Sequence, residues 1–89
     1  MKNIGVIGCR LSEEFFTAAE ANGEKFLLKK ILVPGQTLPL GSGNYAEAQQ
    51  VENVEEIIND TSIDMVIVAE RQKSLAGQLV RAGKAVRVV

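Results

Sequence analysis

The chain has 89 residues, 46% of them apolar, with a formal net charge of −1, one cysteine and no histidine. That length and composition describe one compact globular domain and leave no room for two. The near-zero charge gives no long-range attraction to nucleic acid or to an anionic membrane, and no segment is long and apolar enough to span a bilayer. A single Cys9 excludes an intramolecular disulfide, and with no histidine a Cys/His metal site is excluded as well. Met1-Lys2 runs straight into an apolar segment with no leader pattern, so the expected location is the cytoplasm.

In chain order, Lys2 to Gly8 reads as a buried strand. Ser12 offers an N-cap to a helix whose first turn carries Glu13-Glu14, suited to the positive end of the helix dipole. Phe15, Phe16, Ala18 and Ala19 form the apolar side of that helix, and Asn22-Gly23 ends it. Phe26 to Val33 is a second strand, closed by Pro34-Gly35. The stretch from Gln36 to Ala48 holds Pro39, Gly41, Ser42 and Gly43 where a crossover helix would stand, which predicts an irregular connection with at most a helical turn near Tyr45 to Gln49. Gln49 to Glu52 is a short third strand, and Asn53 with Glu56 makes a capping-box-like start to a helix through Asp60. Asp64 to Ala69 is the fourth strand. A last helix with Leu75, Ala76, Leu79 and Val80 on one side, then Gly83, leads to a final strand from Ala85 to Val89.

Strands alternating with helices across short connections require right-handed crossovers and a parallel sheet. The predicted fold is therefore α/β, a doubly wound Rossmann-like sheet of five strands in the order 3-2-1-4-5, with the second crossover helix reduced or absent.

The first turn is where such a fold holds a dinucleotide, and it needs glycine at three places: for the tight bend, for approach of the backbone to a pyrophosphate, and for packing of helix on strand. Gly8 fills the first place; Arg10 and Glu13 stand at the second and third. The candidate binding crevice comprises Gly8, Cys9, Arg10 and Ser12 after strand one and Glu70 and Arg71 after strand four. Arg10 and Arg71 are the residues suited to a phosphate. Against that, Glu13 and Glu14 repel an anion, and Arg10 has Glu13, Glu14 or Glu70 as alternative partners. Cys9 is either a thiol favoured by a helix N-terminus or a small packing residue in a tight turn. Gly41-Ser42-Gly43 lacks the lysine and following Ser/Thr of a nucleoside-triphosphate loop and reads as a surface connection.

Val51-Glu52-Asn53-Val54-Glu55-Glu56-Ile57-Ile58-Asn59-Asp60-Thr61-Ser62-Ile63-Asp64-Met65-Val66-Ile67-Val68-Ala69 followed by Ala82-Gly83-Lys84, together with Ile4 to Cys9 and Ala18 to Gly23, resembles the nucleotide-binding half of the glucose-fructose oxidoreductase/inositol dehydrogenase (Gfo/Idh/MocA) family. The resemblance covers nearly the whole chain except Pro34 to Glu47. It implies a Rossmann domain that binds NAD(P). Three departures weaken the implied activity: Val33-Pro34-Gly35 stands where a polar residue would meet the adenosine ribose, Glu70-Arg71-Gln72 replaces a Thr-Pro-Asn segment, and the chain reaches Val89 where the family's Glu-Lys-Pro motif would begin. The expectation is a stand-alone nucleotide-binding or interaction module, without catalysis of its own and with weak NAD(P) binding at most. The alternatives are the NAD(P)-binding part of an oxidoreductase whose substrate domain lies on another chain, and a coenzyme A-binding module.

Lys29 and Lys30 adjoin inside strand two, so strict alternation sends one of them to a sheet face that helices usually cover. A face left partly open there, with Leu27, Ile31 and Val33 or Phe26, Leu28 and Leu32 exposed, predicts a homodimer. Glu47 to Asp64 carries six acids and no base and Arg71 to Arg87 five bases and no acid, so opposed patches are available to orient an encounter.

Overall fold

The structure is a computed structural model that describes residues 2–9, 11, 13–33 and 46–89. It contains β1 (Lys2–Ile7), α1 (Glu13–Ala21), β2 (Phe26–Leu32), β3 (Gln49–Gln50), α2 (Glu55–Ile58), β4 (Met65–Val68), a 3-10 segment (Glu70–Leu75), α3 (Ala76–Arg81) and β5 (Ala85–Val88). The five strands form one sheet in the order β3-β2-β1-β4-β5, every pair parallel. This is the expected doubly wound topology, and each strand is within two residues of its predicted bounds. The Gly41-Ser42-Gly43 loop lies outside the described residues, as does most of the irregular connection; Ala46-Glu47, within them, form a turn.

Each face of the sheet has its own core, as right-handed crossovers demand. Against α1, Ile4, Val6, Leu28, Ile31, Val33, Met65 and Ile67 pack with Leu11 and Phe16. On the other face Ile7, Leu32, Val66 and Val68 pack with Ile57 of α2, Leu79 of α3, Val51 and Ile63. In α1 the buried positions are Phe16 and Ala19, three residues apart as one helical face requires; Ala18 is exposed. Phe15 stacks on Phe26 with ring centroids 5.7 Å apart, tying the helix to the start of β2. In α3 Leu79 is fully buried and Leu75 joins its cluster, but Val80 is 60% exposed, so the expected apolar side is narrower by that residue.

The adjacent lysines are accommodated by a register slip. β1 pairs Ile4 with Leu28 and Gly5 with Lys30, skipping Lys29. That bulge changes the phase of β2: Phe26, Leu28, Ile31 and Val33 pack in the α1 core while Leu32 packs in the opposite one. Leu28, Ile31, Leu32 and Val33 are consequently all buried, and Phe26 and Leu27 are half-buried. The expectation of an open face on β2 is corrected on this point, because it assumed unbroken alternation. Lys30 forms an ion pair with Asp60 at 3.3 Å and donates to the Glu56 carbonyl at 3.0 Å. Gly5, opposite Lys30, lets α2 approach: a Cβ there would lie 3.1 Å from Ile57 Cγ2.

The lower end of the sheet, before β4 and β5, is closed by polar contacts. Asp64 Oδ2 accepts from the Asn3 backbone N–H at 3.2 Å, so Asp64 marks entry to β4 as its position suggested. At the opposite end, just past β3, Asn53 Oδ1 accepts from Glu56 N–H at 3.2 Å, and the Glu56 carboxylate accepts from Glu52 N–H at 3.1 Å. The reciprocal cap is thus present but reaches back one residue beyond Asn53, and α2 ends at Ile58, short of Asp60. Gly23 and Gly83 end α1 and α3 alike, with Glu24 N–H bonded to Ala19 O at 2.8 Å and Lys84 N–H to Leu79 O at 3.1 Å.

Lys84, only 9% exposed, sends its ammonium to the carbonyls of Asp60 and Ile63, holding the α2–β4 loop against the start of β5. Replacing Lys84 by Met leaves these acceptors without their charged donor and is expected to cost about 1–3 kcal/mol in urea unfolding.

The Asp60 carboxyl is held down at about 2, first by the hydrogen bond from the Ser62 hydroxyl, with further lowering from the Ser62 backbone N–H and from Lys30, against an opposing effect of burial. Its folded pKa lies below the unfolded value of about 3.9, so it stabilises the fold above pH 4 and progressively less as pH falls through 2. The stability difference between the wild type and Asp60→Asn should therefore be constant above about pH 5 and shrink below pH 4.

Candidate functional site

In this strand order the chain turns back between β1 and β4, so the loops after these two strands diverge and leave a crevice at their carboxyl ends. A cavity of about 600 Å³ lies there, lined by Gly8 and Cys9 from the first loop and Ala69, Glu70, Arg71 and Lys73 from the second. Of the residues singled out from the sequence, Gly8, Cys9, Glu70 and Arg71 are thus brought together. Arg10 and Ser12 lie outside the described residues. Lys73 is a further lining residue, marked in the sequence only as one of the five bases of Arg71 to Arg87; the winding of Glu70–Leu75 into a 3-10 segment brings it to the crevice.

Gly8 does what the first glycine of such a loop must. Its φ is +85°, a left-handed conformation that turns the chain sharply out of β1. It is also crowded: a Cβ on Gly8 would lie 2.7 Å from Gln72 Cγ and 3.1 Å from Ala69 Cβ. The Gln72 side chain therefore covers the α-carbon of Gly8, and it does so from a kink, with φ −110° and ψ 15° interrupting the 3-10 turns.

Arg71 joins the two loops directly, its Nη2 donating to the Gly8 carbonyl at 3.1 Å. A guanidinium has five N–H donors in a planar fork, so this bond fixes the group's position while leaving donors for an anion. Glu70 is exposed, and its backbone N–H bonds the Val89 carbonyl at 2.9 Å, anchoring the segment to the end of the sheet. Cys9 is half-buried and packs against the α1 core. Burial pushes its thiol pKa up, against the weaker pull of Arg71, which favours the neutral packing residue over the reactive thiolate. Among the described residues no group of three or more Cys, Asp or Glu side chains is placed to hold a metal, and no helix is long and apolar enough to cross a membrane.

Comparison with solved structures shows what fold this is. The chain is similar to homoserine dehydrogenase of Staphylococcus aureus (22% identity, TM-score 0.68, 99% of this chain and 26% of that one), to the probable oxidoreductase yhhX (20%, 0.71, 99% and 27%) and to a Bacteroides fragilis protein likewise assigned as an oxidoreductase (26%, 0.69, 99% and 28%). It spans about a quarter of the length of each. No family model and no curated protein matches the sequence. The chain is thus a Rossmann-type α/β domain, of the kind found in these oxidoreductases.

The crowding at Gly8 is directly testable. Gly8→Ala should destabilise the fold by about 1–3 kcal/mol, combining left-handed strain with the overlap on Gln72. Adding Gln72→Ala should recover about 0.5–1 kcal/mol, a coupling readable from a double-mutant cycle of urea midpoints.

Proposed function

We propose that this chain is a nucleotide-binding module related to the nucleotide-binding halves of the Gfo/Idh/MocA oxidoreductases, and that it binds its ligand without transforming it. One observation carries the reading: a crevice of about 600 Å³ sits at the switch point of the sheet and presents the Arg71 guanidinium, tethered to Gly8 O at 3.1 Å, with Lys73 on the same rim. Both are groups that bind phosphate. Oxidoreductases among the solved structures, aligned over 99% of this chain, support the same reading.

The ligand is a phosphate-bearing nucleotide held through side chains. In a glycine-rich loop a pyrophosphate rests on backbone N–H groups. Here Gln72 packs on Gly8, and Arg10 and Glu13 replace the later glycines, so Arg71 and Lys73 take over the role of neutralising the phosphates. NAD or NADP, when bound, would supply hydride chemistry. The chain's own contribution is to seat the phosphates, while Cys9, kept protonated, contributes packing.

Calorimetric titration with NAD, NADP, coenzyme A and ADP-ribose tests this. At least one of these should bind, NAD more weakly than micromolar, and Arg71→Ala should weaken the binding by roughly tenfold or more, the loss of a charge-assisted hydrogen bond. Failure of all four to bind would overturn the proposal, as would binding indifferent to Arg71. Preference for coenzyme A over the dinucleotides would assign the crevice to that ligand class instead.

A further inference from the structure

Backbone and side chains at the crevice are in opposite states. The backbone amides of its two loops are committed to the fold: Gly8 N–H donates to Leu32 O at 2.8 Å, Ala69 N–H to Ile7 O at 2.9 Å, Glu70 N–H to Val89 O at 2.9 Å and Gln72 N–H to Ala69 O at 2.8 Å. The Gly8 carbonyl is taken by Arg71, and the Gly8 α-carbon is covered by Gln72. The cationic side chains are uncommitted by comparison. Arg71 spends one bond on Gly8 O, Lys73 is exposed, and among the described residues neither forms an ion pair, although Glu70 stands on the same rim. We propose that the crevice recognises a terminal phosphate monoester, shared between Arg71 and Lys73, in place of the bridging pyrophosphate of a dinucleotide. This rests on the nucleotide reading above and narrows its ligand.

The shape and charge of the anion decide between the two. A phosphate monoester gathers roughly 1.5 to 2 negative charges at pH 7 on three oxygens around one phosphorus. A pyrophosphate linking two nucleosides spreads its charge along two phosphorus centres. Successive backbone amides suit that extended group, because they follow it along a turn. Here such amides at Gly8, Ala69, Glu70 and Gln72 are already bonded, and reaching further along the rim brings an anion to the Glu70 carboxylate. Two convergent cations suit the compact group instead. A guanidinium grips a pair of phosphate oxygens in its own plane, and an ammonium serves another as a point charge. Beside these charges, Gly8, Cys9 and Ala69 give the crevice an uncharged wall for the nucleoside.

A monoester of this kind occurs on a mononucleotide, on the adenosine ribose of NADP and on that of coenzyme A. Matched pairs of ligands isolate it. In NADP against NAD, and in coenzyme A against 3′-dephospho-coenzyme A, the members differ by the monoester alone; in 5′-AMP against ADP-ribose a monoester and a pyrophosphate occupy the same carbon. Calorimetric titration of the whole chain should show the monoester-bearing member binding about tenfold or more tightly in at least one pair, and that pair identifies the source. Lys73→Ala should bring the ratio within that pair close to one, with circular dichroism confirming that the exposed substitution leaves the fold intact. Members of every pair binding alike, NAD or ADP-ribose binding more tightly than its monoester counterpart, or a ratio indifferent to Lys73 would each overturn this inference and leave the nucleotide reading standing. Binding of none of the six would remove both.

Discussion

The arrangement depends on one extra residue in β2. Lys29 is skipped in the ladder with β1, and everything beyond it on that strand changes face. Without the slip, Ile31 and Val33 would leave the α1 core and Lys30 would enter it, exchanging buried isoleucine and valine for an ammonium that burial in an apolar layer disfavours strongly. With it, Lys30 falls opposite Gly5, the glycine whose missing side chain admits Ile57, and its amine reaches Asp60 and the Glu56 carbonyl at the edge of α2. A helix of only four residues, Glu55–Ile58, is too short to persist by its own hydrogen bonds. Its place is set by Ile57 seated on Gly5 and by the lysine that grips its carbonyl end.

The two ends of the sheet serve different purposes. At the amino ends, Lys84, Asp60, Ser62, Asp64 and Asn3 satisfy one another and the loop carbonyls between α2 and β4, so their polar groups are consumed in holding the fold. At the carboxyl ends the loops after β1 and β4 part, and Arg71 and Lys73 face a crevice. A charge whose donors are spent on carbonyls stabilises the chain; a charge with donors left over is available to a ligand. Lys84 belongs to the first kind and Arg71 to the second.

The topology was legible because each strand is a short apolar run and each turn has its glycine or capping residue in place: Gly8 after β1, Gly23 and Gly83 after α1 and α3, Asn53 before α2. The crevice followed from topology, since the order of strands dictates where loops diverge. What the sequence concealed was phase and reach. Nothing in Leu27-Leu28-Lys29-Lys30-Ile31 announces which residue leaves the ladder, because either lysine tolerates an unpaired position; the partner strand and Asp60 decide it. Gln72 was unremarkable for the same kind of reason. Its contact with Gly8 spans more than sixty positions in the chain and rests on a backbone kink that no local pattern encodes.

Under the proposed function, side chains stand in for backbone at the crevice, and that changes the character of recognition. Backbone amides in a glycine turn are rigid, uncharged and aimed before the ligand arrives, and they discriminate by geometry. An arginine and a lysine supply full charges that work over distance, which speeds capture of an anion and discriminates by charge more than by shape. Tethering Arg71 to the Gly8 carbonyl restores part of the lost rigidity, because the guanidinium is placed before a ligand binds and less side-chain entropy remains to be lost. The same bond makes the two loops one unit. The left-handed turn at Gly8 sets the position of the carbonyl, and the carbonyl sets the position of the charge. The left-handed turn at Gly8 thus acts on the crevice through the arginine it orients.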